Sequence, residues 1–304
     1  MSTLITGGGS QTGIALAKLL QGSGHPVLFA SRSGRVPDGF ESVKLDWSDP
    51  STYEEAFKAP GHEIQYVFLQ FAGVYDPLPA AKALIELAVK RGVKRFVLLS
   101  ASGEGTEKGP NSFSTGAVHT YLDAQGLDYV VLRPTWFIGT RFLSDAANCH
   151  ELICYNPENF LRLYGKGIKE HNVIQTTIPT GRIPFVGVDD IAQVAFDAIV
   201  NVEKLPNREP IIVGADLLSH PEVAEALTKS LGRTITHVTI TKDELTKRYL
   251  GFGLPESYAE HLAIVCEKAE KGAEEKHLDD PRTITGKVGT REWIEKHKEA
   301  FAAL

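Results

Sequence analysis

TLITGGGSQTG, residues Thr3–Gly13, joins a short apolar segment to the apolar helical pattern that follows it. A strand, a glycine turn and a helix in this order place unpaired backbone N–H groups and the positive end of the helix where a phosphate group binds. Gly7 is predicted to make the tight turn, Gly9 or its neighbour to allow close approach of a ligand, and Gly13 to let the helix pack on the strand. Ser10 occupies the middle glycine position of a G-x-x-G-x-x-G pattern. The stretch therefore predicts a nucleotide-binding unit at the start of the chain.

Short apolar segments alternate with helical patterns throughout the first half of the chain, which is typical of βαβ units and a parallel sheet. The clearest helix is Pro79–Arg91, where apolar residues recur with the spacing of one helix face. Strands are predicted at Thr3–Thr6, Val27–Ala30, Ser42–Leu45, Tyr66–Gln70, Arg95–Ser100 and Tyr129–Arg133. The predicted fold class is α/β: a Rossmann-type doubly wound parallel sheet with a smaller, mostly helical C-terminal region.

The alternation is interrupted in the second half. Phe137–Pro179 is rich in aromatic residues and lacks strand alternation, so helices and loops are expected there. Regular structure returns at Ile183–Val188, followed by a helix at Ile191–Val200 and a strand at Pro210–Val213. We predict two interleaved regions: a nucleotide-binding domain, residues 1–137 with 183–214 returning to it, and a substrate-binding region, residues 138–304.

The end of the second predicted strand indicates which dinucleotide binds. An NAD site offers a carboxylate there to the ribose 2′-hydroxyl, whereas this chain continues with Ser31, Arg32 and Ser33. A guanidinium pairs with a 2′-phosphate, and a carboxylate would repel it. The predicted cofactor is therefore NADP(H). Asp46, after the third strand, is predicted to meet the adenine side of the ligand or, alternatively, to cap the turn that follows it.

Composition and charge exclude several classes of protein. The 304 residues carry 32 Lys and Arg against 38 Asp and Glu, without a basic block, which argues against nucleic acid as a partner. No apolar stretch approaches the roughly 18 residues that span a bilayer. The first ten residues lack the segments of a secretory signal, so a cytoplasmic location is expected. The oligomeric state is left open by the sequence.

The three cysteines are interpreted as reduced thiols, because their number is odd and the chain is long. Cys149, His150 and Cys154 lie close together, but no second pair at zinc-finger spacing follows them. We therefore predict no metal site.

Four stretches carry a resemblance to a known family: FVLLSAS (Phe96–Ser102), LRPTWF (Leu132–Phe137), GRIPFVGVDDIAQVAF (Gly181–Phe196) and LGRTITHVTIT (Leu231–Thr241). With them the chain resembles the NmrA-like atypical short-chain dehydrogenases, and within these the fungal festuclavine and agroclavine dehydrogenases of ergot-alkaloid biosynthesis. The resemblance implies a Rossmann-type domain that binds NADP(H) and a cleft that binds a small alkaloid substrate. The cofactor residues predicted from the spacing and the resemblance together are Gly7, Gly9, Gln11, Thr12, Gly13, Ser31, Arg32, Ser33, Asp46, Gln70, Phe71, Ala72, Ser100, Ala101, Pro134 and Phe137.

The chain departs from carbonyl-reducing short-chain dehydrogenases, which need a tyrosine four residues before a lysine to protonate the nascent alkoxide. None of the nine tyrosines has that partner, and Asn111 and Thr115 stand where the pair is expected. Ketone reduction is therefore disfavoured. An iminium acceptor already carries positive charge, and its reduced carbon needs no proton.

Aromatic and polar side chains supply the remaining candidates. Aromatic faces can hold a cation. The aromatic candidates are therefore interpreted either as the wall of a cation site or as core packing. Asp189 and Asp190 precede the predicted helix at Ile191–Val200 and are interpreted as its N-terminal cap. The candidate catalytic residues are Ser100, His119 and Trp136, and the candidate substrate residues are Tyr75, Trp136, Phe142 and Tyr164.

Three functions remain open from the sequence. The first is an NADP(H)-dependent oxidoreductase that acts on an iminium-type indole alkaloid intermediate in fungal secondary metabolism. The second is a cyclase that uses the same cofactor platform to form a ring by cycloaddition or indole attack, with the aromatic segment 139–180 shaping its pocket. The third is a non-catalytic regulator that senses NADP(H), as NmrA does. Product mass separates the first two functions, because reduction adds two hydrogens whereas cyclisation leaves the mass unchanged unless it is coupled to a redox step.

Overall fold

The computed structural model describes residues 1–34, 36–71, 74–103, 105–138 and 160–302. Its strands are β1 Ser2–Thr6, β2 Val27–Ser31, β3 Glu41–Lys44, β4 Ile64–Leu69, β5 Arg95–Leu99, β6 Tyr129–Pro134, β7 Phe137–Ile138, β8 Val173–Thr176, β9 Arg182–Ile183, β10 Val186–Gly187, β11 Ile211–Val213, β12 Leu218–Ser219, β13 Thr236–Thr239 and β14 Thr283–Thr285. Its helices are α1 Gln11–Gly22, α2 Glu55–Lys58, α3 Leu78–Lys90, α4 Thr115–Ala124, α5 Phe160–His171, α6 Val188–Val200, α7 His220–Leu231, α8 Lys242–Gly251, α9 Glu256–Glu270, α10 Thr290–Lys296 and α11 Lys298–Ala302.

The described residues form two compact units. The first contains residues 1–133 and 188–210, and the second contains residues 134–138, 160–187 and 211–302. The prediction that the first unit binds the nucleotide and the second the substrate stays a prediction.

The first unit is built on a parallel sheet with the strand order β6-β5-β4-β1-β2-β3. This order reverses direction between β1 and β4, as in doubly wound dinucleotide-binding folds. Helix α1 packs against α6, and α3 packs against α4. The predicted Rossmann-type α/β class is therefore confirmed.

Strand alternation divides the core between the two faces of this sheet. Val67 and Leu69 of β4 belong to a cluster with the buried side of α3, whereas Phe68 between them points to the other face. Helix α3 buries the apolar positions that the sequence pattern indicates, and Gly92 beyond its end has a φ of +88°. Both faces of the central strands are covered, which explains their near-continuous apolar sequence.

The second unit contains four strand pairs and six helices among its described residues. Strands β7 and β10, β8 and β13, and β11 and β14 are parallel pairs, while β9 and β12 are antiparallel. Helices α7 and α8 both begin with a capping box, in which Ser219 pairs with Glu222 and Thr241 with Glu244. These local signals fix where the two helices start.

Three sequence expectations are corrected. Phe137–Pro179, where helices and loops are expected, contains strands β7 and β8 as well as α5. The regular segment expected at Ile183–Val188 is broken into β9 and β10, because Pro184 between them lacks the N–H group that a ladder needs. Helix α6 begins at Val188, so Asp189 and Asp190 lie in its first turn rather than before it. Carboxylates in that turn interact favourably with the helix dipole, so the change in boundary keeps their stabilising role. Among the described residues, no helix has the length and apolar character needed to cross a membrane.

Replacing Phe68 with alanine tests the burial of β4. Its side chain is fully buried, so we expect Phe68→Ala to lower the free energy of unfolding by about 3–5 kcal/mol. Val89→Ala, at a position 43% exposed on α3, is the control and is expected to change it by less than about 0.5 kcal/mol. Urea unfolding followed by circular dichroism measures both, and equal effects would contradict the assignment of Phe68 to the core.

Candidate functional site

The glycine turn after β1 passes tightly over the ends of two neighbouring strands. Gly7 and Gly8 have φ angles of +81° and +38°, which glycine adopts at little cost. The Gly8 N–H donates to the carbonyl of Ala30 at 3.1 Å, and a Cβ added at Gly8 would lie 2.8 Å from Oγ of Ser31. The turn therefore has no room for a side chain at Gly8, and its backbone lies directly against the end of β2.

Helix α1 begins immediately after this turn. The Ser10 hydroxyl caps it by accepting a hydrogen bond from the Gly13 N–H at 3.1 Å. A Cβ at Gly13 would lie 2.7 Å from Ser10 Oγ and 3.0 Å from a methyl group of Ile5, so glycine permits this packing. The Gln11 and Thr12 amides belong to the first turn, which has no intrahelical acceptor for them. Their N–H groups and the helix dipole suit an anionic diphosphate.

The end of β4 is fastened to the same turn. The Thr6 hydroxyl accepts a hydrogen bond from the Gln70 N–H at 2.8 Å, and the Ser10 hydroxyl donates to the Gln70 side-chain oxygen. The next residue, Phe71, is half-buried, and its ring centroid lies 4.7 Å from that of Trp47. These contacts hold Gln70 and Phe71 beside the glycine turn, where the sequence predicts the ribose.

The end of β2 carries the residues predicted to select the cofactor. Ser31 is buried, whereas Arg32 and Ser33 are exposed. Oδ1 of Asp46 accepts hydrogen bonds from the Ser48 N–H at 3.0 Å and from the Ser48 hydroxyl at 2.7 Å. These bonds lower the pKa of Asp46, and the Arg32 charge contributes to the same shift. Asp46 has the contacts of a turn cap, one of its two predicted interpretations.

The end of β5 brings two hydroxyl groups together. Ser100 is buried, and its Oγ lies 2.9 Å from Oγ1 of Thr115, the first residue of α4. Next to it, the Ala101 carbonyl accepts a hydrogen bond from the Thr106 hydroxyl at 2.7 Å. Ser100 is therefore held at the same edge of the sheet as the glycine turn.

His119, predicted as a catalytic residue, is fully buried one helical turn after Thr115. Its Nε2 lies 3.3 Å from Oε1 of Glu209, and its ring centroid is 5.4 Å from that of Tyr129. Burial lowers the pKa of His119, although the Glu209 charge opposes the shift. These contacts are those of a buried structural histidine, and its catalytic role stays a prediction.

The remaining predicted residues that the structure describes are divided between the two units. Tyr75 is half-buried in the first unit, and Pro134, Trp136, Phe137 and Tyr164 are buried in the second. The ring centroids of Trp136 and Tyr164 lie 6.2 Å and 5.5 Å from that of His220, which is fully buried. Ala72 and Phe142 fall outside the described residues.

Metal ligation has no support in the part of the chain that the structure describes, where no three His, Cys, Asp or Glu side chains form a cluster that could hold an ion. Cys149, His150 and Cys154 lie outside that part. Cys266 is a buried thiol, and its Sγ lies 3.8 Å from the Tyr249 hydroxyl.

Sequence reasoning assigned the close approach to Gly9 or its neighbour and did not single out Gly8. Three consecutive glycines show that a turn is present, but the contact with Ser31, 23 positions later, is what shows that Gly8 must lack a side chain. In the sequence, Thr115 stands out only because it occupies a position where the tyrosine–lysine pair is expected. Its pairing with Ser100 depends on how α4 docks on the strand end.

A doubly wound parallel sheet, with a glycine turn and a helix N-terminus at the end of its first strand, defines a Rossmann-type dinucleotide-binding protein. A family model described as NAD(P)H-binding matches residues 7–141. Agroclavine dehydrogenase of Claviceps fusiformis is 34% identical over 289 residues, covering 94% of this chain and 93% of that protein. Festuclavine dehydrogenase of Aspergillus fumigatus is 32% identical over 294 residues, covering 95% and 94%.

The fold is similar to that of Citrobacter sp. triphenylmethane reductase, solved in complex with NADP(H). The two share 18% identity and a TM-score of 0.70, over 97% of this chain and 99% of that one. The chain thus belongs to the NmrA-like NAD(P)H-binding oxidoreductases, the family of the agroclavine and festuclavine dehydrogenases. It is an NAD(P)H-dependent oxidoreductase, and the predicted family and enzyme class are confirmed.

Replacing Gly8 tests the glycine turn as the nucleotide site. We expect Gly8→Ala to weaken NADPH binding at least tenfold, because the methyl group collides with Ser31 and forces the turn away from its position. Gly24→Ala is the matched control, since Gly24 also has a positive φ, +76°, but open space around it. Fluorescence titration with NADPH measures both. Equal affinities in the two variants would contradict this placement of the nucleotide.

The buried His220 predicts a loss of stability in acid. Burial, followed by the nearby His237, lowers the pKa of His220 to about 3. The folded protein therefore keeps it neutral where an unfolded chain protonates it, below a pH of about 6.5. Its contribution is complete above that pH and is lost as the pH falls. The free energy of unfolding should decline less from pH 7 to 4.5 in His220→Leu than in the parent protein.

Exposed His171→Gln is the control for that series, and it should show the parental decline. Because burial also lowers the pKa of His237, part of the decline is expected to remain in His220→Leu. A decline in His220→Leu as steep as in the parent protein would show that His220 is not kept neutral by folding.

Proposed function

We propose that this oxidoreductase uses NADPH to reduce an iminium-type indole alkaloid intermediate in fungal secondary metabolism. The resemblance to agroclavine and festuclavine dehydrogenases over nearly the whole chain supports the alkaloid substrate. The observation that carries the reaction type is the absence from the sequence of a tyrosine four residues before a lysine.

The end of β2 supports NADPH over NADH. Arg32 supplies a guanidinium and Ser31 and Ser33 supply hydroxyl groups, where an NAD site offers a carboxylate. The glycine turn and the first turn of α1 offer N–H groups to the diphosphate. The tight fit of Gly8 on Ser31 fixes the distance between these two parts of the site.

The chemistry of an iminium matches the groups that are present. Bound NADPH supplies a hydride. When the hydride forms a bond to the iminium carbon, the π electrons of the C=N bond become the lone pair of a neutral amine. No proton has to be delivered, so the protein has to position the cation and exclude water rather than provide an acid. Hydroxyl oxygens and aromatic faces suit that purpose, whereas the backbone N–H groups serve the diphosphate.

Turnover with a synthetic cyclic iminium tests the proposal. We would incubate the protein with NADPH and an N-methyl-dihydro-β-carbolinium salt, follow NADPH absorbance, and weigh the product by mass spectrometry. The expected product carries one hydride more than the cation, whereas a cyclisation alone leaves the mass unchanged. If NADPH binds tightly but is not oxidised in the presence of any such cation, iminium reduction is refuted.

Replacing Arg32 tests the choice of cofactor. We expect Arg32→Ala to weaken NADPH binding about tenfold while NADH binding stays within about twofold, since an exposed charge-assisted hydrogen bond contributes about 1.5 kcal/mol. Arg91→Ala is the control, because Arg91 is also exposed but pairs with Glu54 at 2.6 Å after α3. Calorimetric titration measures each affinity. Equal weakening for the two nucleotides would show that Arg32 does not bind the 2′-phosphate.

A further inference from the structure

Ser100 and Thr115 form a pair of hydroxyl groups at the edge of the sheet where ligands of doubly wound folds bind. Ser100 directly follows β5, and its N–H still donates to the Leu132 carbonyl at 2.9 Å, which fixes its backbone. Its Oγ lies 2.9 Å from Oγ1 of Thr115, and either atom can be the donor. Thr115 has no role in the site described so far.

The segment between the two residues is held by several independent contacts. The Phe113 N–H donates to the Gly105 carbonyl at 2.7 Å, and a Cβ at Gly116 would lie 2.9 Å from Cα of Thr106. Helix α4 therefore begins in close contact with the loop that follows Ser100. This packing sets the distance between the two hydroxyl groups.

Ser114, immediately before Thr115, has a φ of +52°. A serine in this left-handed region is unusual, and such backbone strain persists only where the surrounding structure enforces it. It turns the chain into α4 so that Thr115, rather than its neighbour, meets Ser100.

Arg133 fixes the other side of the loop. Its side chain is buried, and its Nη2 lies 2.9 Å from Oε1 of Glu107 and donates to the Ser102 carbonyl at 3.3 Å. A buried cation that pairs with a carboxylate and a carbonyl resists movement of the loop that carries both. The positions of Ser100 and Thr115 are therefore fixed both by the loop after β5 and by the start of α4.

We propose that Thr115 is a positioning residue for the substrate cation, an inference that rests on the proposed iminium reduction. The Thr115 oxygen accepts a hydrogen bond from the Ser100 hydroxyl, and the oxygen lone pairs of Ser100 then face the iminium. This orientation is the favourable one beside a positive charge, because the opposite one would aim an O–H dipole at the cation. Thr115 thus acts through Ser100 rather than by contact with the substrate.

A neutral oxygen suits this reaction better than a carboxylate. Hydride transfer removes the positive charge of the substrate, so a full negative charge would stabilise the bound cation more than the transition state and raise the barrier. A hydroxyl dipole holds the cation in place with a smaller penalty. The part-buried pair combines orientation with modest electrostatic stabilisation.

Thr115→Val is the principal test, because valine has the same shape and no acceptor. With N-methyl-dihydro-β-carbolinium as the substrate, we expect KM for the cation to rise and kcat/KM to fall about threefold to tenfold, the effect of a hydrogen bond of about 0.5–1.5 kcal/mol. The dissociation constant of NADPH should stay unchanged. Thr115→Ser, which restores the hydroxyl, should recover most of the loss.

A double-mutant cycle separates positioning from a structural role. If Thr115 acts through Ser100, Thr115→Val should cause no further loss once Ser100→Ala is present. Thr120→Val is the control on the same helix, since the Thr120 hydroxyl bonds to groups of the fold: the Gly116 carbonyl at 2.9 Å, the Gly109 N–H at 3.0 Å and the Ser112 hydroxyl at 2.9 Å. It should lower the melting temperature and leave KM for the cation unchanged.

The possible outcomes distinguish the two proposals. Turnover in the parent protein with additive losses in the cycle, or without rescue by Thr115→Ser, would overturn the role of Thr115 alone. NADPH binding without any iminium turnover in the parent protein would overturn the proposed function and this role with it. If Thr115→Val does not fold, Thr115→Ala takes its place in the same cycle: a loss that disappears in the Ser100→Ala background supports the role, and an additive loss refutes it.

Discussion

The close packing of the Gly7–Gly8 turn against the ends of β2 and β4 is the constraint on which the nucleotide-binding unit depends. A side chain at Gly8 would collide with Ser31, and one at Gly7 would meet Gln70 at 3.3 Å. Because both glycines have positive φ, the backbone reverses in two residues and delivers α1 with its first amides free of helical partners. The same contacts place Ser31 and Gln70 at set distances from those amides. One turn thereby fixes the positions of three strand ends at once.

The sequence predicts all six strands of the first unit's sheet to within two residues at either end, at its edge as well as in its centre. All five residues of β2 are buried, so its apolar run stands out from the surrounding sequence. Strand β3 has mostly exposed side chains, and its predicted bounds, Ser42–Leu45, are shifted by one residue from Glu41–Lys44. The two-residue strands on either side of Pro184 are too short to produce any periodicity. Strand length, rather than burial alone, decides which elements one sequence reveals.

Candidate site residues can be interpreted from the sequence when their partners are close in the chain, and not when the partners are distant. The cap by Ser10 and the Asx turn at Asp46 involve partners within three residues, and short patterns indicate both. The partner of Ser100 is 15 residues away, and that of His119 is 90 residues away at Glu209. A lone histidine pattern does not reveal such a partner. The sequence therefore identifies a nucleotide turn, whereas deciding between a catalytic and a structural histidine requires the fold.

The division of charge in the first unit bears on the kind of substrate that it suits. The side chains gathered at the ends of β1, β4 and β5 are neutral, namely Thr6, Gln70 and Ser100 with their partners Ser10 and Thr115. Away from these strand ends, Lys108 lies 3.1 Å from Asp123 of α4 and 2.9 Å from Glu209, so one ammonium is shared by two carboxylates. The groups nearest to a ligand beside Gln70 and Ser100 are therefore dipoles rather than these charges. A cation that loses its charge during reaction is favoured by such surroundings, because dipoles that hold it weakly do not oppose its neutralisation.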